Sequence, residues 1–129
     1  MKLLLDTHIW LWSLYDAGRL GKNILQELNN AENQRWLSPI STWEALILNA
    51  KGKIRIHTSV DEWVAQATAH FREAPLTHQI ATVAQQLRLP QKDPADRFLA
   101  ATAKVLDLTL VTADAGLLGL GDIATLGNR

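Results

Sequence analysis

The sequence predicts an α/β fold with a central, mainly parallel sheet. Strand-like and helix-like segments alternate along the whole chain, with no internal repeat, low-complexity stretch or linker. The first apolar run, Leu3-Leu4-Leu5, is short and continuous, as a strand buried on both faces would be. The 129 residues fit one domain, spanning 1–129, and suffice to bury one core.

The elements follow in order. After the Leu3–Leu5 strand, a helical segment runs from Thr7 to Tyr15, broken by Gly18 and Gly21. Lys22 to Ala31 carries Ile24, Leu25 and Leu28 at helical spacing. Trp36-Leu37-Ser38 reads as a second strand. Ile40 to Ala50 reads as a helix with Ala45, Leu46 and Leu48 inward, Trp43 as a further inward candidate, and Gly52 ending it. Ile54 and Ile56 flank Arg55 in a short extended piece. Ser59 and Glu62 form a capping box that opens a helix to about Phe71. Pro75-Leu76 is an extended link, and Thr77 caps a helix to about Leu87. Asp93 suits a helix N-cap and Pro94 the first helical position, so a helix runs on through Leu106. Leu108 to Thr112 is a β-branched apolar strand. Ala113 to Leu118 forms a turn or short helix, and Ile123 to Leu126 a final edge strand.

Composition narrows the function classes. The absence of cysteine excludes disulfides and thiolate metal sites, and is compatible with a reducing cytosol. No apolar run approaches the roughly 18 residues of a membrane span, and the N-terminal apolar stretch, cut by Asp6, is too short for a signal peptide. The formal net charge is zero, so nucleic-acid binding would rest on local patches or metal. Lys51, Lys53 and Arg55 make one basic cluster, read as a solvated face. Arg88, Lys92 and Arg97 surround the Asp93 turn and could meet backbone phosphates.

Four acids stand where chemistry could collect: Asp6, Glu44, Asp96 and Asp114. In open α/β sheets ligands bind beyond the carboxyl ends of the strands. Asp6 ends the first strand and Asp114 comes two residues after the Leu108–Thr112 strand, so both belong at that edge. Hard cations such as Mg2+ are held by carboxylates from separate parts of a chain. Each acid also has an ordinary structural explanation: a helix cap for Asp6, a solvated helix surface for Glu44, a helix-dipole partner for Asp96, a cap or turn for Asp114. Their joint placement favours a metal site able to act on phosphate esters. No glycine-rich phosphate loop, nucleophile elbow or zinc spacing is present. An aspartyl phosphotransferase using Asp6 is disfavoured because His8 stands where a second acid is common. Trp10 and Trp12, two apart on one helix, face differently, so at most one belongs to the core. The other is available to a partner chain or a stacked base.

Three stretches, LLLDTHIWLW, SPISTWEALIL and DPADRFLAATAKVLDLTLVTAD, occur in an order and spacing that resembles the PIN-domain ribonucleases, in particular toxins of VapC type. The resemblance covers essentially the whole chain. It implies a three-layer α/β/α sandwich and a Mg2+- or Mn2+-dependent endoribonuclease, with the motif acids falling on Asp6, Glu44, Asp96 and Asp114. Asp93 is an additional acid, expected to cap its helix and available as a ligand through water. Thr7 and Ser41 are the hydroxyls expected to hold the carboxylates, and Arg97 is expected to bridge to one and orient it. The resemblance further implies an RNA substrate (a tRNA or another structured RNA), a small cognate antitoxin, a homodimer and a cytoplasmic location. The alternative is a non-catalytic module of the same fold that binds RNA or protein without cutting.

Overall fold

The computed structural model describes residues 1–90 and 93–129, so Lys92 lies outside the described residues. Five strands form one sheet in the order β3-β2-β1-β4-β5, and every pair is parallel. They are β1 (Lys2–Leu5), β2 (Gln34–Leu37), β3 (Arg72–Glu73), β4 (Thr109–Thr112) and β5 (Thr125–Gly127). The helices are α1 (Thr7–Tyr15), α2 (Lys22–Asn29), α3 (Pro39–Ala50), α4 (Val60–Ala67), α5 (His78–Gln86) and α6 (Pro94–Leu106), with a 3-10 turn at Ala17–Arg19.

The period-two geometry of a strand divides the core into two layers. Leu3 and Leu5 of β1 pack with Ile9, Trp10, Ile24, Ala45 and Trp63 from α1 to α4. Leu4 points the other way, with Leu110, and packs with Ile80, Ala84, Leu99, Ala100 and Ala103 from α5 and α6. All three leucines of β1 are fully buried, as the continuous apolar run requires. The result is the three-layer α/β/α sandwich expected from the sequence.

The order of strands positions the site. From β1 the chain moves outward to β2 and β3, then returns to the other side of β1 to form β4. The connections leaving β1 and β4 therefore diverge to opposite sides, and a crevice opens beyond their carboxyl ends, where doubly wound sheets bind ligands. Asp6 and Asp114 flank that crevice.

The structure departs from the sequence reading at four points. Trp43 does not face inward: it lies on the exposed side of α3, 57% accessible. Ile54–Ile56 forms no strand; the loop is held where the Ile56 N–H donates to Asn49 Oδ1 at 3.2 Å. Helix α4 ends at Ala67 rather than near Phe71, and the chain turns back so that Phe71 packs on the core from the loop. That turn delivers β3, whose residues the sequence reading left unassigned between the helix to about Phe71 and the Pro75-Leu76 link. Its pairing is Trp36 with Arg72 and Leu37 with Glu73. The predicted caps are present: Ser59 Oγ accepts from Glu62 N, Thr77 Oγ1 from Ile80 N, and Asp93 Oδ1 from Ala95 N.

Candidate metal centre

Asp6, Glu44, Asp93, Asp96 and Asp114 line one pocket of about 370 Å³, together with His8, Trp12 and Ala113. Five carboxylates from four separated segments thus face one space, and among the described residues no lysine or arginine lines it.

Local structure sets each acid. Asp6 occupies the N-cap position of α1, and its N–H extends the β1–β4 ladder by donating to Val111 O at 2.9 Å. Its carboxylate makes no cap bond to the helix. Instead Oδ2 accepts from Thr112 Oγ1 at 2.6 Å, and the residue is 7% exposed. The cap explanation for Asp6 therefore fails on the structure: a buried carboxylate is turned away from the helix amides that would cap it. Asp114 is held in a turn in which Oδ1 accepts from Gly116 N at 2.8 Å, and its own N–H donates to Thr112 Oγ1 at 3.0 Å. One threonine hydroxyl thus ties the acids after β1 and β4 to each other. Thr112 was legible only as a β-branched strand residue, and nothing in the sequence marked it as the tie.

Glu44 is half-buried on α3 rather than on a fully solvated helix surface, the ordinary alternative to a site role. Thr7 donates its hydroxyl to Glu44 Oε1. A hydroxyl carries one proton, so the 2.9 Å contact between Thr7 Oγ1 and Ser41 Oγ requires Ser41 to be the donor. Both Thr7 and Ser41 are buried. The chain Ser41–Thr7–Glu44 links α3 to the start of α1.

Asp93 and Asp96 divide the first turn of α6. Asp93 caps the helix, and Asp96 faces the other acids. The bonds described for Arg97 run to the carbonyls of Ala84, Gln85 and Leu87, at the open end of α5. These bonds join α5 to the first turn of α6.

The acids act on one another. Burial, followed by the charges of Asp93, Asp6, Asp114 and Glu44, pushes Asp96 up to about 7. Burial also raises Glu44; the Thr7 hydrogen bond opposes this, while Asp93 and Asp6 add to it. Carboxylates in such a group hold a shared proton or gather a cation. Among the described residues no three of them already converge as a ready-made cation cage. Mg2+ retains several waters and takes only one or two carboxylates directly, so it does not require such a cage. The all-oxygen donor set, its mutual coupling and the braced Asp6 and Glu44 fit a hard divalent cation.

The PIN domain family matches residues 3–122. The chain is 31% identical over 115 residues to Ribonuclease VapC22 of Mycobacterium tuberculosis, covering 87% of this chain and 86% of that protein. Among solved structures, VapBC2 of Rickettsia felis bound to a promoter DNA fragment superposes with a TM-score of 0.73 at 16% identity over the full length of both chains. FitAcB of Neisseria gonorrhoeae gives a TM-score of 0.66 at 25% identity, covering 98% of this chain and 97% of that one. The chain belongs to the PIN-domain family and is of the VapC type.

Proposed function

We propose that this protein is the toxin of a toxin–antitoxin pair, an endoribonuclease that hydrolyses RNA phosphodiesters with Mg2+ or Mn2+. The observation that carries this reading is the group of five carboxylates around one pocket, two of which, Glu44 and Asp96, are raised by burial and by neighbouring carboxylates. The relative from Mycobacterium tuberculosis is a ribonuclease by name, and the structural relatives include a toxin–antitoxin complex and a member of the VapBC family of toxin–antitoxin systems. A small antitoxin protein is therefore the expected partner, and a tRNA or another structured RNA the expected substrate. A homodimer and a cytoplasmic location complete the proposal. No helix among the described residues is long and apolar enough to cross a membrane.

In this reading Asp6, Glu44, Asp96 and Asp114 would hold the ion, and Asp93, which caps α6, would be an additional acid beside it. A bound divalent ion supplies charge stabilisation at the scissile phosphate and lowers the pKa of an attacking water. Water adds to phosphorus and the P–O3′ bond breaks, leaving a 5′-phosphate and a 3′-hydroxyl. The chain's own contribution is placement. Thr112 fixes Asp6, Gly116 N–H fixes Asp114, and Ser41 through Thr7 fixes Glu44. The test is cleavage of purified tRNA in Mg2+ by the wild type, by Asp6→Asn and by the wild type in excess chelator. Cleavage confined to the wild type with Mg2+ is expected. Full cutting by Asp6→Asn, or in chelator, would overturn the reading.

A further inference from the structure

The wall of the acid pocket contains one aromatic platform that the metal chemistry does not use. Trp10 and Trp12 lie on the same helix with opposite fates. Trp10 is fully buried, donates its indole N–H to Ala67 O at 3.2 Å, and packs on Trp63 with ring centroids 5.6 Å apart. Trp12 is half-exposed and lines the pocket beside the five carboxylates. Its indole N–H has no hydrogen-bond acceptor among the described residues, whereas those of Trp10, Trp36 and Trp63 all do. Two groups dress its ring. The Arg19 guanidinium sits 4.8 Å from the ring centroid, and His8 meets it edge-on at 6.0 Å. Among the described residues Arg19 makes no ion pair with a carboxylate. An aromatic ring whose indole N–H has no acceptor among the described residues therefore lines a mainly acidic pocket, with a guanidinium that makes no described ion pair stacked on it.

Resting on the reading that the pocket acts on RNA, we propose that Trp12 is a positioning residue. It receives the base of a nucleotide next to the scissile phosphate, and Arg19 holds a neighbouring phosphate of the same strand. Aromatic side chains accept any base by its π-face, and arginine adds charge to the stack. The pairing solves a problem that the acids create. A polyanion is repelled by five carboxylates, so contacts beyond the cation must hold the strand in register. A strand gripped this way is unpaired at that nucleotide, so the target is a loop or another single-stranded stretch within a structured RNA.

The experiment is binding of a labelled octamer of adenosine, intact or with one abasic position moved along it, measured by fluorescence anisotropy in Mg2+. Asp6→Asn serves as the parent to prevent cutting. Trp12→Ala in that parent is expected to weaken the intact octamer roughly tenfold, the usual order for one lost stack, and Trp12→Phe to restore most of it. One abasic position should weaken the parent by a similar factor and leave Trp12→Ala unchanged. Arg19→Ala, which leaves the ring in place, should lower the salt dependence of binding by about one phosphate contact. Equal affinities of parent and Trp12→Ala, or equal losses for intact and abasic octamers, would overturn the proposal. Should Trp12→Ala not fold, Trp12→Leu and the abasic series on the parent decide the same question. If the base coupling is found but the wild type cuts no RNA, the nuclease reading fails and the platform stands.

Discussion

The Ser41–Thr7–Glu44 chain gives a prediction whose size follows from burial. Thr7 is 1% exposed and Ser41 0%, so Thr7→Val keeps the shape of a fully enclosed side chain and removes only the hydroxyl. Two groups then lose a partner. The Ser41 O–H is left unpaired in the interior, which costs about 1–3 kcal/mol. Glu44 loses a charge-assisted bond, but it is half-buried and water replaces part of it, so its share is smaller. The expected loss is about 2 kcal/mol, or roughly 6–10 °C in Tm for a chain of this length. The same change removes the bond that holds Glu44 down, so its pKa rises further. The assay is urea and thermal denaturation of Thr7→Val, Ser41→Ala and the double variant. Removing both hydroxyls leaves no orphan pair between them, so the double variant should be more stable than the sum of the singles by about 1 kcal/mol. Strict additivity, or a Thr7→Val protein as stable as the wild type, would refute the hydrogen-bond chain.

Three further outcomes follow from the same structure. Asp96 has a folded-state pKa of about 7 against an ordinary value of 3.8, so its contribution to stability is full at low pH and is lost as pH rises through about 7. Ion-free protein should therefore melt lower at pH 8 than at pH 5.5. Mg2+ should narrow the gap and Asp96→Asn remove most of it, as read by calorimetry. Gly21 lies so close to the chain end that an added Cβ would stand 1.7 Å from the Arg129 carbonyl carbon. Its N–H also donates to Asn128 Oδ1 at 2.7 Å. Gly21→Ala should cost ~1–3 kcal/mol by overpacking and raise amide exchange in β5, visible by hydrogen exchange. Trp43, although large and apolar, is exposed, so Trp43→Ser should change monomer stability by less than about 0.5 kcal/mol in urea denaturation.

The parts of the fold that were legible in the sequence are those in which a local signal and the tertiary outcome agree. Leu3–Leu5 and Leu108–Thr112 are apolar because both faces of their strands are covered, and Asp93-Pro94 marks a helix start by the chemistry of its own backbone. β3 was not legible. Arg72 and Glu73 are exposed and charged, and their place in the sheet rests on main-chain bonds that no side-chain pattern reports. Helix α4 was read too long because Phe71 continues an apolar rhythm that the structure satisfies from a loop. The acids of the pocket were visible as residue types at strand ends and helix starts. What orients them was visible only in part. Thr7 and Ser41 could be named because they sit beside Asp6 and Glu44. Thr112 reads as a strand former, and its bond to Asp6 joins residues 106 positions apart. Arg97 next to Asp96 suggested an ion pair, and its bonds to the open carbonyls of α5 were not legible in the sequence.

The central claim is that the five carboxylates act as one cation-binding unit. Calorimetric titration of Mn2+ into the wild type and Asp96→Asn, at pH 6.5 and pH 8.5 in two buffers of different ionisation enthalpy, tests it directly. Because burial and the neighbouring carboxylates push Asp96 up to about 7, binding to the wild type should release protons at pH 6.5 and few at pH 8.5. Asp96→Asn should bind more weakly and lose that difference. No binding by the wild type, or binding whose affinity and proton release are unchanged in Asp96→Asn, would contradict the account.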